Sequence, residues 1–305
     1  MSKTKIIALV ALALVIVGGL GSWVTYSSAS HLMEVKETKI LGHNFSNIII
    51  NAENVGVQIR PAKEENTAIE LVGQVHKSIS YSFDATTEDG TLSMSADMSD
   101  QLSWVNLYPI HLKIVVSLPE KEYNLLQVEG NHGKIHLEGM QIDEIYCNTR
   151  NSDIDLTKIT AKNIALKTKN AQIALMDVKS NTITTKTRFA AIGLKNVKAD
   201  ALIAKTRFAA IGLENVETDV LTARTHSAQI VLSTSHIDRQ IDLETGSGSI
   251  LVKTEREPEN VSFEVSTGGG DVDLLGRYVG SVEIGKGDNL VRLVTGNGSI
   301  AVETE

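Results

Sequence analysis

The stretch Lys186-Thr187-Arg188-Phe189-Ala190-Ala191-Ile192-Gly193-Leu194 decides the fold, because it recurs residue for residue as Lys205 to Leu213. The offset is 19 residues, and the same offset organises a longer segment. Threonine stands at Thr149, Thr168, Thr187, Thr206 and Thr225. Isoleucine stands at Ile154, Ile173, Ile192, Ile211 and Ile230, and leucine two residues after each. A third apolar column is Ile159, Val178, Val197 and Val216. Within each copy the apolar residues alternate with period two, which is the strand signature. Nineteen residues are too few for a helical-hairpin repeat, which needs about 33. They suffice for one coil of a β-solenoid. A single coil cannot bury its apolar residues alone, so the coils must stack. Inward columns then repeat at the strand spacing of about 4.8 Å.

The pattern extends outward with drift. Leu126, Gly130, Ile135 and Leu137 make an earlier copy. Thr245-Gly-Ser-Gly-Ser-Ile250, Thr267-Gly-Gly-Gly-Asp-Val272 and Thr295-Gly-Asn-Gly-Ser-Ile300 read as later copies, taken in chain order after longer outer loops. Their glycines are expected to supply positive φ at tight corners. Residues 41–120 read as irregular coils, with apolar runs at Ile48 to Ile50, Val55 to Ile59, Leu92 to Met94 and Ile110 to Leu118. Pro119 and Glu120-Lys-Glu122 mark a boundary before regular coils over 121–305. The fold class is therefore all-β, a right-handed-type β-solenoid (β-helix). Composition agrees: aromatics are 4% of 305 residues, and the apolar content is carried by Val, Ile, Leu, Thr and Ala.

Ahead of the solenoid, Lys3 and Lys5 precede an uncharged stretch from Ile6 to Val24. As a helix its length is about 28 Å, close to the hydrocarbon core of a bilayer. The lysines favour a cytoplasmic N-terminus, and Trp23 and Tyr26 suit an outer aromatic belt. This predicts a tail over 1–5, one transmembrane helix over 6–26, a linker over 27–40, and an extracytoplasmic remainder. The alternative is a cleaved signal peptide, with Ser27-Ser28-Ala29 as its small-residue site. Length and aromatics favour the uncleaved anchor.

The anchor, the Asp89-Gly-Thr-Leu-Ser93 strand entry, the Ile114-Val-Val-Ser-Leu-Pro119 segment and the repeated Thr-Gly-x-Gly-x-Ile turns carry a resemblance. Together, over about residues 40–305, they resemble the bacterial putative-adhesin domain, a family of largely unknown function. The resemblance implies a membrane-anchored β-solenoid, related to accessory proteins of envelope-stress sensing systems. It implies no catalytic residue. The middle copies depart from the pattern, since Arg188-Phe-Ala-Ala and Arg207-Phe-Ala-Ala replace the glycines.

Several classes of chemistry find little support in the residues. The single cysteine, Cys147, leaves no intramolecular disulfide and no multi-cysteine metal site. It shares a column with Leu166, Thr185, Ala204 and Ala223, which predicts a small buried residue. Asp153 and Asp155 are the best acid pair, but the next coils carry Gln172 and Ala174, so no acid cluster builds up as a glycosidase needs. His132 and His136 fall near that pair without an evident third ligand. Gly268-Gly-Gly-Asp-x-Asp273 occurs once, so it reads as a corner rather than a calcium-binding repeat. The chain is read as non-enzymatic, with no cofactor and no metal. Its net charge of −8 disfavours nucleic acid.

One charged pattern stands out. The residues just after the column threonines are Arg150, Lys169, Arg188, Arg207 and His226. Those just before are Asn148, Lys167, Lys186, Lys205 and Arg224. Residues 145–226 hold 13 Lys and Arg against 7 Asp and Glu, a local +6 in a chain of −8. If the threonines point inward, eight cations form two adjacent outward stripes. A solvated face is the plain reading. The functional reading is an anion- or partner-binding surface made of Arg150, Lys167, Lys169, Lys186, Arg188, Lys205, Arg207 and Arg224, facing an anionic cell-wall polymer, lipid headgroups or another envelope protein. The expected function is a non-catalytic envelope binding or scaffold module. The alternative is an accessory sensor of envelope stress, and a polysaccharide-active enzyme ranks last.

Overall fold

The computed structural model describes residues 11–23, 32–77, 79–98 and 111–305. A helix covers residues 11–23. Among the described residues no helix is long and apolar enough to cross a membrane. The span expected over 6–26 runs into residues 1–10 and 24–31, which lie outside the described residues.

All the named elements are strands. The N-terminal third holds β1 (Leu32–Leu41), β2 (Asn47–Glu53), β3 (Gly56–Ala62), β4 (Thr67–His76), β5 (Tyr81–Glu88), β6 (Thr91–Met98), β7 (His111–Pro119), β8 (Glu122–Gly130) and β9 (Ile135–Glu138). The middle holds β10 (Gln141–Asn148), β11 (Ile154–Thr157), β12 (Asn163–Lys167), β13 (Ile173–Lys186), β14 (Ile192–Lys205) and β15 (Ile211–Thr225). The C-terminal third holds β16 (Ile230–Thr234), β17 (Gln240–Thr245), β18 (Ile250–Thr254), β19 (Val261–Thr267), β20 (Val272–Leu274), β21 (Val282–Ile284), β22 (Asn289–Thr295) and β23 (Ile300–Thr304).

Parallel pairing arranges these into two broad sides. One side runs β6, β2, β8, β10, β12, the later halves of β13 to β15, then β17, β22 and β19. The other runs β7, β3, β9, β11, the earlier halves of β13 to β15, then β16, β18, β23 and β20. The register is the 19-residue offset itself: Ile173 opposes Ile192, Ile192 opposes Ile211, and Ile211 opposes Ile230. That isoleucine column continues through Ile250 to Ile300, and none of its members is more than 1% exposed. Each such side chain contributes about 1.5–3 kcal/mol by leaving water, so the stacked columns are the core.

A short third side carries Val178, Val197 and Val216. The chain enters it through Asp177, Asn196 and Asn215, whose φ values are 56°, 53° and 50°. Asn and Asp tolerate this left-handed conformation best among residues with a side chain. Their side chains also bond along the stack, Asn196 to Asp177 at 2.8 Å and Asn215 to Asn196 at 2.9 Å.

Four features differ from the sequence reading. Residues 32–40, within the linker expected over 27–40, belong to β1, which pairs antiparallel with β4 and buries Val35 in the core. Pro119 and Glu120-Lys-Glu122 mark no break, since β7 and β8 flank the β2–β3 coil and share its core. The last coils do not stack in chain order: Thr295 opposes Thr245, and Thr267 opposes Thr295. The β22–β23 coil therefore sits inside, and β19–β20 is the outermost. Finally, of the seven glycines in the Thr-Gly-x-Gly turns, Gly270 alone takes positive φ. The others are needed for close approach: a Cβ on Gly248 would lie 2.1 Å from the Ala228 carbonyl oxygen.

Antiparallel strands close the N-terminal end. There β1 pairs β4, β4 pairs β7, and β5 pairs β6. At the other end β21 pairs antiparallel with β19. Such caps blunt the edges that an open solenoid would expose.

Candidate functional site

The basic stripes are built by the turn that follows each column threonine. Thr187, Thr206 and Thr225 donate their hydroxyls to the carbonyl oxygens of Ala171, Ala190 and Ala209, at 3.1, 3.2 and 3.0 Å. Each bond ties one coil to the turn of the coil before it. With the threonine held inward, its two neighbours face out.

Lys167, Lys186, Lys205 and Arg224 occupy one ladder position on successive strands. Arg150, Lys169, Arg188, Arg207 and His226 are stacked by backbone bonds, in which each amide donates to the carbonyl of the preceding member at 3.1–3.3 Å. The two rows are thus parallel, with one step of about 4.8 Å between coils. Lys167, Lys169, Lys186, Arg188 and Arg207 are exposed, and Lys205 is half-buried. Among the described residues none of these six, nor Arg150, forms an ion pair. Elsewhere on the same coils, cations do pair along the stack, as Lys195 with Glu214 at 2.6 Å and Lys198 with Glu217 at 3.3 Å.

Arg224 differs from the other seven. It bonds Asp242 at 2.7 Å and reaches Glu244 at 3.7 Å, while Arg292 bonds the same two acids. Burial pushes the Asp242 carboxyl up, but hydrogen bonds from Arg224 and Arg292 outweigh it and hold the group below the usual carboxylate range. Glu244 occupies the next ladder position after Arg224. The rows of free cations therefore end at an acidic fence, which the sequence reading did not foresee because it followed the cations alone.

Phe189 and Phe208 lie on the surface, 47% and 42% exposed. Their rings stack on each other at 5.2 Å and 15°. The Arg188 guanidinium carbon sits 4.9 Å from the centre of the Phe189 ring, and that of Arg207 sits 5.0 Å from the Phe208 ring. Beside the ridge, the next outward position carries Ala165, Thr184, Ile203 and Thr222, all uncharged. The site is a ridge rather than a hollow. A hollow of about 1080 Å³ lies at the N-terminal cap, and none of the stripe residues lines it.

The other candidates have structural partners. Asp155 pairs with Lys134 at 2.5 Å, and Asp153 accepts the Gln172 amide at 2.9 Å. His136 opposes Asp155 in register, whereas His132 bonds Asn54 and Asn151. Asp273 accepts the Gly276 amide at 2.9 Å within its corner. Among the described residues no three His, Cys, Asp or Glu side chains gather as a metal site requires. Cys147 is buried in its column, and that burial pushes its thiol up to about 12. Sequence reasoning also missed Arg239, which is buried and donates to the Val216 carbonyl at 2.8 Å and the Thr234 hydroxyl at 2.9 Å. It caps the third side where that side stops. Its signal was the one-residue lengthening of its coil, from Thr225 to Thr245.

No curated protein matches the chain. Among solved structures, a "putative lipid binding protein" from Parabacteroides distasonis is similar at 11% identity and TM-score 0.53, with 88% of this chain and 96% of that one covered. A "putative adhesin" from Parabacteroides merdae is similar at 12% identity and TM-score 0.47, with coverage of 88% and 95%. The first of these shows a shared fold. The family model described as Toastrack DUF4097 matches residues 45–303, which takes in every coil described above. With its stacked parallel coils and that match along nearly its whole length, the chain belongs to the Toastrack DUF4097 family.

Proposed function

We propose that this chain is a non-catalytic binding or scaffold module of a bacterial-type envelope. Residues 6–26 hold it in the membrane with a cytoplasmic N-terminus, and the solenoid outside binds an anionic partner along the ridge. One observation carries the reading: six stacked cations, Lys167, Lys169, Lys186, Arg188, Lys205 and Arg207, stand in two rows without a carboxylate partner among the described residues. Like charges opposed on a sheet are destabilising, so the free protein bears a cost that an anionic ligand relieves.

The test uses the full chain in nonionic detergent and a polyanion-coated support. Binding is expected at low salt and should fade as the Debye length drops from about 10 Å at 0.1 M to about 3 Å at 1 M. Changing Lys186, Arg188, Lys205 and Arg207 together to Ser should abolish it, with the fold intact or slightly more stable. A wild-type chain that ignores polyanions even at low salt would return the ridge to a solvated face. Protease added to intact protoplasts should remove the solenoid. A soluble form starting near Ser30 would replace the anchor by a signal peptide.

A further inference from the structure

We infer that Arg188 and Arg207, each laid on a phenylalanine ring, form a preorganised pair of guanidinium groups that grips successive phosphates of a linear, phosphate-linked polymer running along the solenoid axis. This rests on the reading above but asks for more. That reading needs only unpaired positive charge, whereas this one needs the orientation of two guanidinium groups.

The two rings hold each other at 5.2 Å, and each holds one guanidinium at 4.9–5.0 Å. The coils on either side have no ring at this place, carrying Asn170 and Ser227 instead, so the four side chains form one block. A guanidinium over an aromatic face is attracted by the ring quadrupole and keeps its in-plane N–H donors available. Among the described residues no carboxylate takes those donors. A side chain already held in place loses less freedom on binding, so more of its interaction appears as affinity. The planar fork matches two oxygens of one phosphate, which an ammonium cannot do. Two such forks one coil apart, about 4.8 Å, present the same donor set twice along a line.

The shape of the charge favours a linear ligand over a membrane surface. The ridge is two residues wide, and the field beside it is uncharged at Thr184 and Ile203. Its C-terminal end is closed to anions by the acids that hold Arg224. A bound chain therefore lies along the ridge and leaves toward Arg150.

The test measures binding of labelled long-chain inorganic polyphosphate to the full chain in nonionic detergent, across a range of salt. Two double variants keep the net charge: Arg188→Lys with Arg207→Lys, and Phe189→Leu with Phe208→Leu. Both should weaken binding by about tenfold while leaving the slope of log affinity against log salt unchanged. If both bind like wild type, the guanidinium groups act as point charges and the inference fails, although the ridge reading stands. If wild type does not bind polyphosphate at low salt, the ridge reading itself fails. Should the Phe variant lose its folded thermal transition, the Arg→Lys variant decides alone. Vesicles of anionic phosphatidylglycerol form the second arm. Weaker binding per phosphate, insensitive to either variant, supports the linear ligand. Vesicle binding as tight as polyphosphate binding, with the same sensitivity, would assign the clamp to lipid headgroups and overturn it.

Discussion

At the residue scale, the glycines separate two requirements that a sequence writes with one letter. Gly248 has no room for a Cβ, which would sit 2.1 Å from the Ala228 carbonyl oxygen. Gly193 and Gly212 face outward, and a Cβ there meets nothing within 4 Å. Gly248→Ala should therefore cost about 1–3 kcal/mol, because backbone of the neighbouring coil must shift. Gly193→Ala should stabilise by roughly 0.4–1 kcal/mol through the unfolded chain, since the strand conformation suits alanine. Urea unfolding of the two variants beside wild type checks both signs. Equal effects would mean that coil spacing does not govern these positions. Expecting positive φ at such turns was natural from glycine's usual role. What decides here is a contact between coils far apart in sequence, which no local rule reports.

At the element scale, each coil is tied to the last by one threonine hydroxyl in addition to its ladders. Thr206→Val keeps the shape but removes the bond to the Ala190 carbonyl. The expected cost is about 1 kcal/mol. Hydrogen exchange should show it as faster exchange in the 187–192 turn before the rest of the coil responds. Uniform loss of protection would place the effect in global stability instead. The coils, the inward columns and the placement of Cys147 were legible in the sequence because in-register parallel stacking copies the residue spacing directly into space. Lys167, Lys186 and Lys205 share a ladder position for the same reason that Ile173, Ile192 and Ile211 do. The acids at Asp242 and Glu244 follow the same rule, since Glu244 is the next ladder position after Arg224. The second arginine of that fence was not legible in that way, because Arg292 reaches Asp242 only through β22 lying beside β17, a pairing between residues 50 apart. The strand status of residues 32–41 was hidden likewise, since an antiparallel edge strand leaves no repeat to detect.

At the scale of the whole molecule, one continuous core carries two buried groups that titrate late. Burial pushes the Cys147 thiol from its ordinary 9.0 to about 12, and the Tyr123 hydroxyl from 10.0 to about 12. Both are neutral when protonated, and both have folded pKa values raised above the unfolded ones. Their contribution to stability is therefore complete below about pH 9 and is lost as the pH rises toward 12. Each group removes up to about 1.4 kcal/mol per pH unit inside its window. Unfolding midpoints measured from pH 8 to 11 should fall, and Cys147→Ala should flatten the part of the curve that begins near pH 9. A slope unchanged by that substitution would mean the thiol is already solvated. The out-of-order coil at the C-terminal end has a consequence for how the chain is completed. A chain synthesised from its N-terminus makes β19–β20 before β22–β23, yet β19–β20 has no parallel partner until those last residues arrive. The final strands must enter between two coils that already exist, β17–β18 on one side and β19–β20 on the other. A chain stopped before Asn289 would be left with two unpaired sheet edges, not a shorter solenoid, and such edges recruit other chains. Assembly of this end is thus a test of whether β22 and β23 have been made, because no other strands fill the gap between those two coils.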